Sequence, residues 1–314
     1  MVRRRSSLLN DPDAMTLGLF DNAASLQALD ASIENDPPLR CIGVMGYTDE
    51  ITAALLQAAQ RFAARLIRRH PFLSFDALEC LVIGSDFRDA LAACEVEGRA
   101  YCAQFMASAE TALAVALPTR AGVVAIIHPQ VMQQMLSAEP AEHSRGIRIF
   151  MHELCHVHDL GLRRKWLLQR AHAQQAPDPL FWRCNALWAE YFANRYSHFH
   201  GVDLGDEWQG LELVLEHLPR LEPSFAAQQV AGAFGGALGS LAAAGIELDD
   251  ARPDLAARVR AGSLWAAWLE ASAVTEQLTL SGECWQHEAG VLRLTTAARL
   301  ITNACNYGPR ALTP

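Results

Sequence analysis

Lysine is almost absent from this 314-residue sequence: Lys165 is the only lysine among 26 basic residues, and the others are arginines. Because both side chains are cationic, the imbalance leaves the net charge unchanged, and it is typical of an arginine- and alanine-rich coding bias. The alternative is selection against ubiquitin-accepting lysines in a protein delivered into a eukaryotic cell. The scarcity of lysine is therefore compatible with the hypothesis that the protein is delivered into another cell.

A long apolar run is also lacking. The most apolar stretch, 226–248, contains Gln228, Gln229, Ser240 and five glycines, whereas a membrane-spanning helix needs about 20 mostly apolar residues. The basic start of the chain is not followed by the apolar segment of a secretory signal. We therefore expect a cytoplasmic protein with no membrane span, in which 226–248 forms a tightly packed helix.

No C-x-x-C pair occurs among the eight cysteines, which are scattered along the chain. This spacing does not match the disulfide framework of a small domain, and it favours buried, reduced thiols. Acidic residues outnumber basic ones by 35 to 26, which gives a net charge of −9. That balance argues against a general nucleic-acid binder. The oligomeric state is not indicated by any pattern.

The first half of the chain mixes helical and strand-like patterns. Apolar residues make up 51% of the sequence, enough for a sizeable core. After a polar tail over 1–40, apolar residues recur at helical intervals over 48–69. Short apolar runs then predict strands at 77–84 and 122–129. The segment between these two strands is expected to be mostly helical.

Helical patterns dominate after the second strand, where all seven tryptophans lie. A helix over 144–161 is expected to stop near Gly161, because glycine is common at helix C-termini. Further helices are predicted at 163–174, 185–199, 206–218, 224–245, 253–272 and 288–304. The fold class is therefore α+β, with a tail (1–40), a mixed α/β lobe (41–161) and a helical lobe (162–314).

The segment His152-Glu153-Leu154-Cys155-His156 is an H-E-x-x-H pattern within the predicted helix. Residues four apart on a helix lie about 40° apart around the axis and about 6 Å apart along it, so both imidazoles can reach one ion. Zinc binds such neutral nitrogens. Glu153 can accept a proton from an activated water without binding the metal. The alternative is two ordinary surface histidines beside an exposed glutamate.

A catalytic zinc ion keeps three protein ligands and one open position, so a third ligand is needed. Asp159 shares the helix with both histidines but lies about 10 Å along the axis from His152, too far for a common ion in an unbroken helix. It is better placed as a supporting partner of a ligand or as a surface residue. His158 points away from the two motif histidines and is expected to be a polar surface histidine.

Glu190, in the segment Asn-Ala-Leu-Trp-Ala-Glu-Tyr-Phe-Ala-Asn over 185–194, is the better candidate. H-E-L-x-H followed by L-W-x-E-x-F-A-N resembles the gluzincin branch of the zincin metallopeptidases. This resemblance implies that Glu190 is the third zinc ligand and that Asn194 supports a histidine ligand. The family usually carries aspartate at the place of Asn194 and often glycine at that of Tyr191. The ImmA/IrrE-like intracellular zincins are a second, weaker resemblance.

The gluzincin resemblance implies a zinc-dependent metallopeptidase that acts on a protein or peptide. It would hold one Zn²⁺ per chain in a cleft flanked by the mixed lobe and the helical lobe. The strand at 122–129 is expected to be an edge strand that pairs with an extended substrate. Peptide hydrolysis also needs a donor for the oxyanion of the tetrahedral intermediate. The candidates from the helical lobe are Tyr307, Tyr196, His217 and His287.

A second function is compatible with the same residues: a non-catalytic zincin-like module that binds or regulates a partner. Zinc would then be structural or absent. Glu153 separates the two hypotheses, because a structural zinc site needs no general base. The intact glutamate favours the enzyme.

Overall fold

The computed structural model describes residues 32–33, 36–84, 113–173, 178–198 and 207–307. These residues form a mostly helical structure with a small four-stranded mixed sheet, which confirms the predicted α+β class. They divide into two compact units, with residues up to 161 in the first and those from 162 in the second. Most of the predicted tail, and residues 85–112 of the segment between the two predicted strands, lie outside the described residues. The described end of that segment forms a strand over Ala114–Pro118, so the prediction of a helical connection is wrong there.

The sheet of the first unit has the spatial order β1-β2-β4-β3. Its strands are β1 (Ile42–Met45), β2 (Leu78–Gly84), β3 (Ala114–Pro118) and β4 (Val123–Ile127). β1 is parallel to β2 and β2 to β4, whereas β3 is antiparallel to β4. Helix α1 (Asp49–Arg69) provides the crossover that joins the parallel strands β1 and β2.

The prediction that the strand at 122–129 is an edge strand is wrong. β4 pairs with β2 on one side and with β3 on the other, and all five of its side chains are buried. Its continuous apolar sequence, Val-Val-Ala-Ile-Ile, is typical of a strand that is covered on both faces. Among the described strands, β1 and β3 form the edges of the sheet.

One 34-residue helix, α3 (Pro140–Ala173), carries the H-E-x-x-H segment. It follows the short helix α2 (Pro129–Met135). The prediction that Gly161 ends the helix is wrong, since α3 continues for about three more turns. Packing explains the glycine instead. A Cβ at this position would lie only 2.4 Å from the Cβ of Ala77, just before β2.

Two contacts hold the first part of α3 in its unit. At Gly146, a Cβ would lie 2.5 Å from the backbone nitrogen of Met135, so α3 touches the end of α2 through its backbone. Near the motif, the backbone N–H of Ser74 donates a hydrogen bond to Nδ1 of His158 over 3.0 Å. The turns that carry the two motif histidines lie between these two fixed points.

The second unit is helical. Besides the end of α3 it contains α4 (Pro179–Ser197), α5 (Glu207–His217), α6 (Pro223–Ala244), α7 (Leu248–Ala251), α8 (Pro253–Ala261), α9 (Trp265–Leu280), α10 (Glu288–Val291) and α11 (Thr295–Tyr307). The helices predicted at 185–199, 206–218 and 224–245 correspond to α4, α5 and α6. The helix predicted at 253–272 is divided at Gly262, and the one predicted at 288–304 is divided by a 3-10 turn over Leu292–Leu294.

Helix α4 packs against α6 and α11 in the core of this unit. The indole of Trp188 on α4 stacks on that of Trp285, with ring centroids 5.5 Å apart. On α6, Phe234 packs edge-on against Trp268, with centroids 5.0 Å apart. The apolar stretch 226–248 thus forms a packed helix and the start of the next one. In the part of the chain that the structure describes, no helix is long and apolar enough to cross a membrane.

The cysteines agree only in part with the prediction of buried, reduced thiols. Those whose side chains are described are thiols outside any disulfide: Cys155 and Cys184 are buried, Cys80 and Cys305 are partly buried, and Cys41 is exposed. The prediction of burial is therefore wrong for Cys41, which directly precedes β1.

Replacing Gly161 by alanine should destabilise the protein, because the added methyl group would overlap the Cβ of Ala77. Overpacking of this kind costs about 1–3 kcal/mol. The matched control is Gly210→Ala on α5, where a Cβ would have nothing within 4 Å and alanine should add about 0.5–1 kcal/mol of stability. Urea unfolding followed by circular dichroism measures both. Equal stability of the two variants would contradict the packing role of Gly161.

Candidate metal centre

His152 and His156 face each other across one turn of α3. Their Nε2 atoms lie 2.9 Å apart, and the two rings are nearly perpendicular, at 84°. Both imidazoles are partly buried, whereas Phe150, Met151 and Leu154 are completely buried. The apolar residues fix the rotation of the helix about its axis. As a result, one ring nitrogen from each histidine points to the same place.

Glu190 completes a group of three ligand atoms with the two histidines. One nitrogen of His152, one of His156 and one carboxylate oxygen of Glu190 all lie within 4.8 Å of one another, and all three residues are partly buried. Among the described residues, this is the one group of histidine, cysteine, aspartate and glutamate side chains that can hold a metal ion. Asp159 is not part of it.

The donor set fits zinc. Zinc–nitrogen bonds of about 2.0–2.1 Å at tetrahedral angles separate two ligand atoms by about 3.3 Å. The ligand atoms here lie within 4.8 Å of one another, so side-chain rotation that moves an atom by up to about 1.5 Å would bring them to that separation. Two imidazole nitrogens and one carboxylate oxygen are ligands that Zn²⁺ accepts. Three protein ligands also leave a fourth position open, as a site that activates water requires.

Glu190 lies near the middle of α4, and the sequence defines where this helix begins. Asp178 caps it by accepting hydrogen bonds from the backbone N–H groups of Leu180 and Phe181, and Pro179 occupies the first turn. On either side of Glu190, Trp188 and Tyr191 are buried. Burial of these two rings fixes the face of α4 from which the carboxylate projects.

Glu153 follows the first histidine and is almost fully buried, with 8% of its surface exposed. The alternative interpretation of an exposed glutamate is therefore wrong. Glu153 is not one of the three clustered ligand residues, so its carboxylate is not needed as a ligand. A buried carboxylate next to a ligand histidine is in a position suited to proton transfer.

Cys155 lies inside the motif but not in the ligand group. Burial, together with the negative charges of Asp159 and Glu153, raises the pKa of the Cys155 thiol well above its usual value. The Cys155 sulfur is not among the ligand atoms that His152, His156 and Glu190 bring together. The motif therefore offers its two imidazoles and not its sulfur.

Asp159 is completely buried, so its interpretation as a surface residue is wrong. Of the two candidates for the third ligand, Glu190 lies in the ligand group and Asp159 does not. The continuous helix explains this, since Asp159 is about 4.5 Å beyond His156 along the axis. Its predicted role as a supporting partner of a ligand stays a prediction.

The prediction that His158 is a surface histidine is also wrong, because only 6% of its surface is exposed. Its Nδ1 accepts from the backbone of Ser74, and Phe72 packs edge-on against the ring with centroids 5.9 Å apart. Burial lowers the pKa of His158, and this effect outweighs the opposing influence of the Ser74 hydrogen bond and of Asp159. His158 thus connects α3 to the segment before β2.

Asn194 lies one turn after Glu190 on α4. Its side-chain amide donates a hydrogen bond to the backbone carbonyl oxygen of Glu190 over 2.9 Å. Its support of a histidine ligand stays a prediction. Tyr191, where gluzincins often have glycine, is buried, and its hydroxyl accepts hydrogen bonds from Arg195 and Thr279. The larger residue is thus accommodated by partners of its own within the helical unit.

The oxyanion donor is the least defined of the predicted site residues. Tyr307 is the last residue of α11, and 78% of its surface is exposed. Tyr196 packs against Phe192 with ring centroids 4.8 Å apart. His287 is exposed and His217 is partly buried. The assignment of Tyr307 to this role stays a prediction.

Two features of helices α3, α4 and α6 were not predicted from the sequence. Arg163, a completely buried residue of α3, donates a hydrogen bond to Oδ1 of Asn185 on α4 over 2.5 Å. Glycines of α6 lie directly against Glu190 and Asn194. For buried Arg163, the sequence offers only one indication, an arginine within an apolar helical pattern. For the glycine contacts of α6, the indication is the G-x-x-G-G-x-x-G spacing over 232–239.

Comparisons of the chain with protein-family models, curated proteins and solved structures found no match.

Zinc binding should depend on Glu190 and not on Asp159. We expect one Zn²⁺ per chain, and His152→Ala or Glu190→Ala should lower the affinity at least about 100-fold, because two ligands cannot hold a tetrahedral site tightly. Asp159→Asn keeps the volume of the buried side chain and should cost about 10–100-fold at most. Competition with a chromophoric chelator measures all four affinities. Loss of the ion in Asp159→Asn but not in Glu190→Ala would contradict the assignment.

Proposed function

We propose that this protein is a zinc-dependent metallopeptidase of the zincin type that hydrolyses peptide bonds with Glu153 as its general base. The grouping of His152, His156 and Glu190 carries this proposal. The resemblance of the two segments to gluzincins supports it, since it implies the same three ligands. The substrate class is a protein or peptide.

Each residue has a distinct part in this reaction. His152, His156 and Glu190 hold the metal through two nitrogens and one oxygen. Bound zinc supplies Lewis acidity, which makes water a nucleophile near neutral pH and polarises the scissile carbonyl group. Glu153 accepts a proton from the attacking water and delivers it to the leaving amine nitrogen.

The substrate has two edges of the described sheet available to it, since β4 is an interior strand. An extended peptide can add to β1 or β3 by backbone hydrogen bonds. β3 is antiparallel to its neighbour β4 and joined to it through the segment 119–122. Addition at β3 would leave β3 between the peptide and β4, the strand that leads into α2.

The rival function is a non-catalytic module that binds or regulates a partner. A structural zinc site is closed by four protein ligands, whereas the group here has three. Cys155 would be the nearest additional ligand in sequence, but it is not part of this group. A buried carboxylate at position 153 also has no purpose in a purely structural site. Both observations favour the enzyme.

Glu153→Gln should retain zinc and fold but lose peptidase activity by roughly 100- to 10,000-fold, because the amide cannot accept the proton. The assay is cleavage of a proteome-derived peptide library, followed by mass spectrometry, beside zinc content and thermal unfolding. The matched control is Glu276→Gln on α9, an exposed glutamate of the second unit, which should keep wild-type activity.

Two outcomes would count against the proposal. Equal cleavage by wild type and Glu153→Gln would show that Glu153 is not the general base. A wild-type chain that holds zinc but cleaves no peptide would favour the binding module.

A further inference from the structure

Helices α4 and α6 approach each other so closely that two glycines of α6 touch the backbone of α4. A Cβ at Gly235 would lie 2.2 Å from the carbonyl oxygen of Leu187, and a Cβ at Gly239 would lie 2.4 Å from that of Tyr191. Real Cβ atoms do not approach other atoms so closely. At these two positions, any side chain would force the helices apart.

These two contacts lie on either side of Glu190 along α4. The same hypothetical Cβ at Gly235 would be 3.0 Å from the Cβ of Glu190, and that at Gly239 would be 3.0 Å from the Cβ of Asn194. Between them, a Cβ at Gly236 would lie 3.3 Å from the side-chain nitrogen of Asn194. These glycines of α6 therefore lie against Glu190, which belongs to the candidate metal-binding group, and against Asn194, whose side chain donates a hydrogen bond to the carbonyl oxygen of Glu190.

Glycine is unfavourable inside a helix, because it has the greatest conformational freedom to lose on folding. α6 nevertheless carries Gly235, Gly236 and Gly239 within about one and a half turns. A spacing of four residues places Gly235 and Gly239 on one face. The observed contacts give a reason for this arrangement, because they fix the distance between α4 and α6. An ordinary apolar face would allow that distance to vary with side-chain rotamers.

We propose that Gly235, Gly236 and Gly239 are positioning residues that hold Glu190 at the distance zinc requires. This inference rests on the proposed function, because it takes Glu190 as a metal ligand. A ligand atom displaced by about an ångström no longer forms a zinc bond of about 2.0–2.2 Å. Close backbone contact on both sides of Glu190 restricts such displacement.

The test compares metal binding by alanine variants of the full-length chain after removal of metal with a chelator. Gly235→Ala should lower the Zn²⁺ affinity at least about tenfold and change the visible absorption of bound Co²⁺, because the helices must separate beside Glu190. Gly232→Ala is the matched control on the same helix: its Cβ would meet only the Cγ of Glu190, at an ordinary contact distance of 3.8 Å. It should keep wild-type affinity and absorption.

Gly236→Ala keeps the inference testable if Gly235→Ala does not fold. Its Cβ would meet only the flexible end of Asn194, so the variant should fold and bind Zn²⁺ about threefold or more weakly than Gly232→Ala. Thermal unfolding of the metal-free proteins is measured in parallel. If the glycine variants lose only thermal stability, and the folded protein keeps wild-type affinity and Co²⁺ absorption, the inference is overturned.

The Zn²⁺ affinity of Glu190→Ala, measured in the same experiment, distinguishes failure of this inference from failure of the proposed function. Wild-type affinity in Glu190→Ala would remove Glu190 as a ligand, and the proposed centre with it. Loss of zinc in Glu190→Ala, together with wild-type binding in Gly235→Ala and Gly236→Ala, would overturn only the positioning role.

Discussion

Three protein atoms can bind one metal ion only if they converge on the same small space, and the candidate centre depends on this constraint. Helix periodicity meets it for His152 and His156, because one turn of α3 brings residues four apart to the same side. Periodicity cannot supply the third ligand, since the next acidic residue along that face is too far along the axis. Glu190 comes from another helix, and the packing of that helix then determines whether the ligand group exists.

The segment of α3 around the motif buries an unusual number of ionisable side chains. Glu153, His158, Asp159 and Arg163 are each less than a tenth exposed. Burial of a charged group is costly unless it is paired or hydrogen-bonded. His158 accepts a hydrogen bond from Ser74, and Arg163 donates one to Asn185. An ordinary amphipathic surface helix would place such residues in water, and their burial here is typical of a functional site.

The sequence was informative where a pattern depends on neighbours along the chain. The H-E-x-x-H spacing, the helix that carries it and the existence of β4 as a strand all follow from patterns local to the chain, whereas the interior position of β4 depends on its pairing with β3. The sequence was misleading where a distant contact decides the outcome. Gly161 has the pattern of a helix end, yet it is a helical residue in contact with Ala77. β1 and β3 were not predicted, and they form the edges of the sheet, where β2 and β4 provide their hydrogen-bonding partners.

The same distinction applies within the candidate site. A resemblance to gluzincins selects Glu190, but only the packing of α6 explains how its helix is held in place. Tyr191 shows this clearly: a bulky residue replaces the glycine common in gluzincins, and it is buried with partners of its own. The glycines of this chain occur instead on the opposing helix, at Gly235 and Gly239. Close approach of two helices requires small residues on at least one of them, and here α6 provides them, which leaves α4 free to carry large buried rings beside its carboxylate.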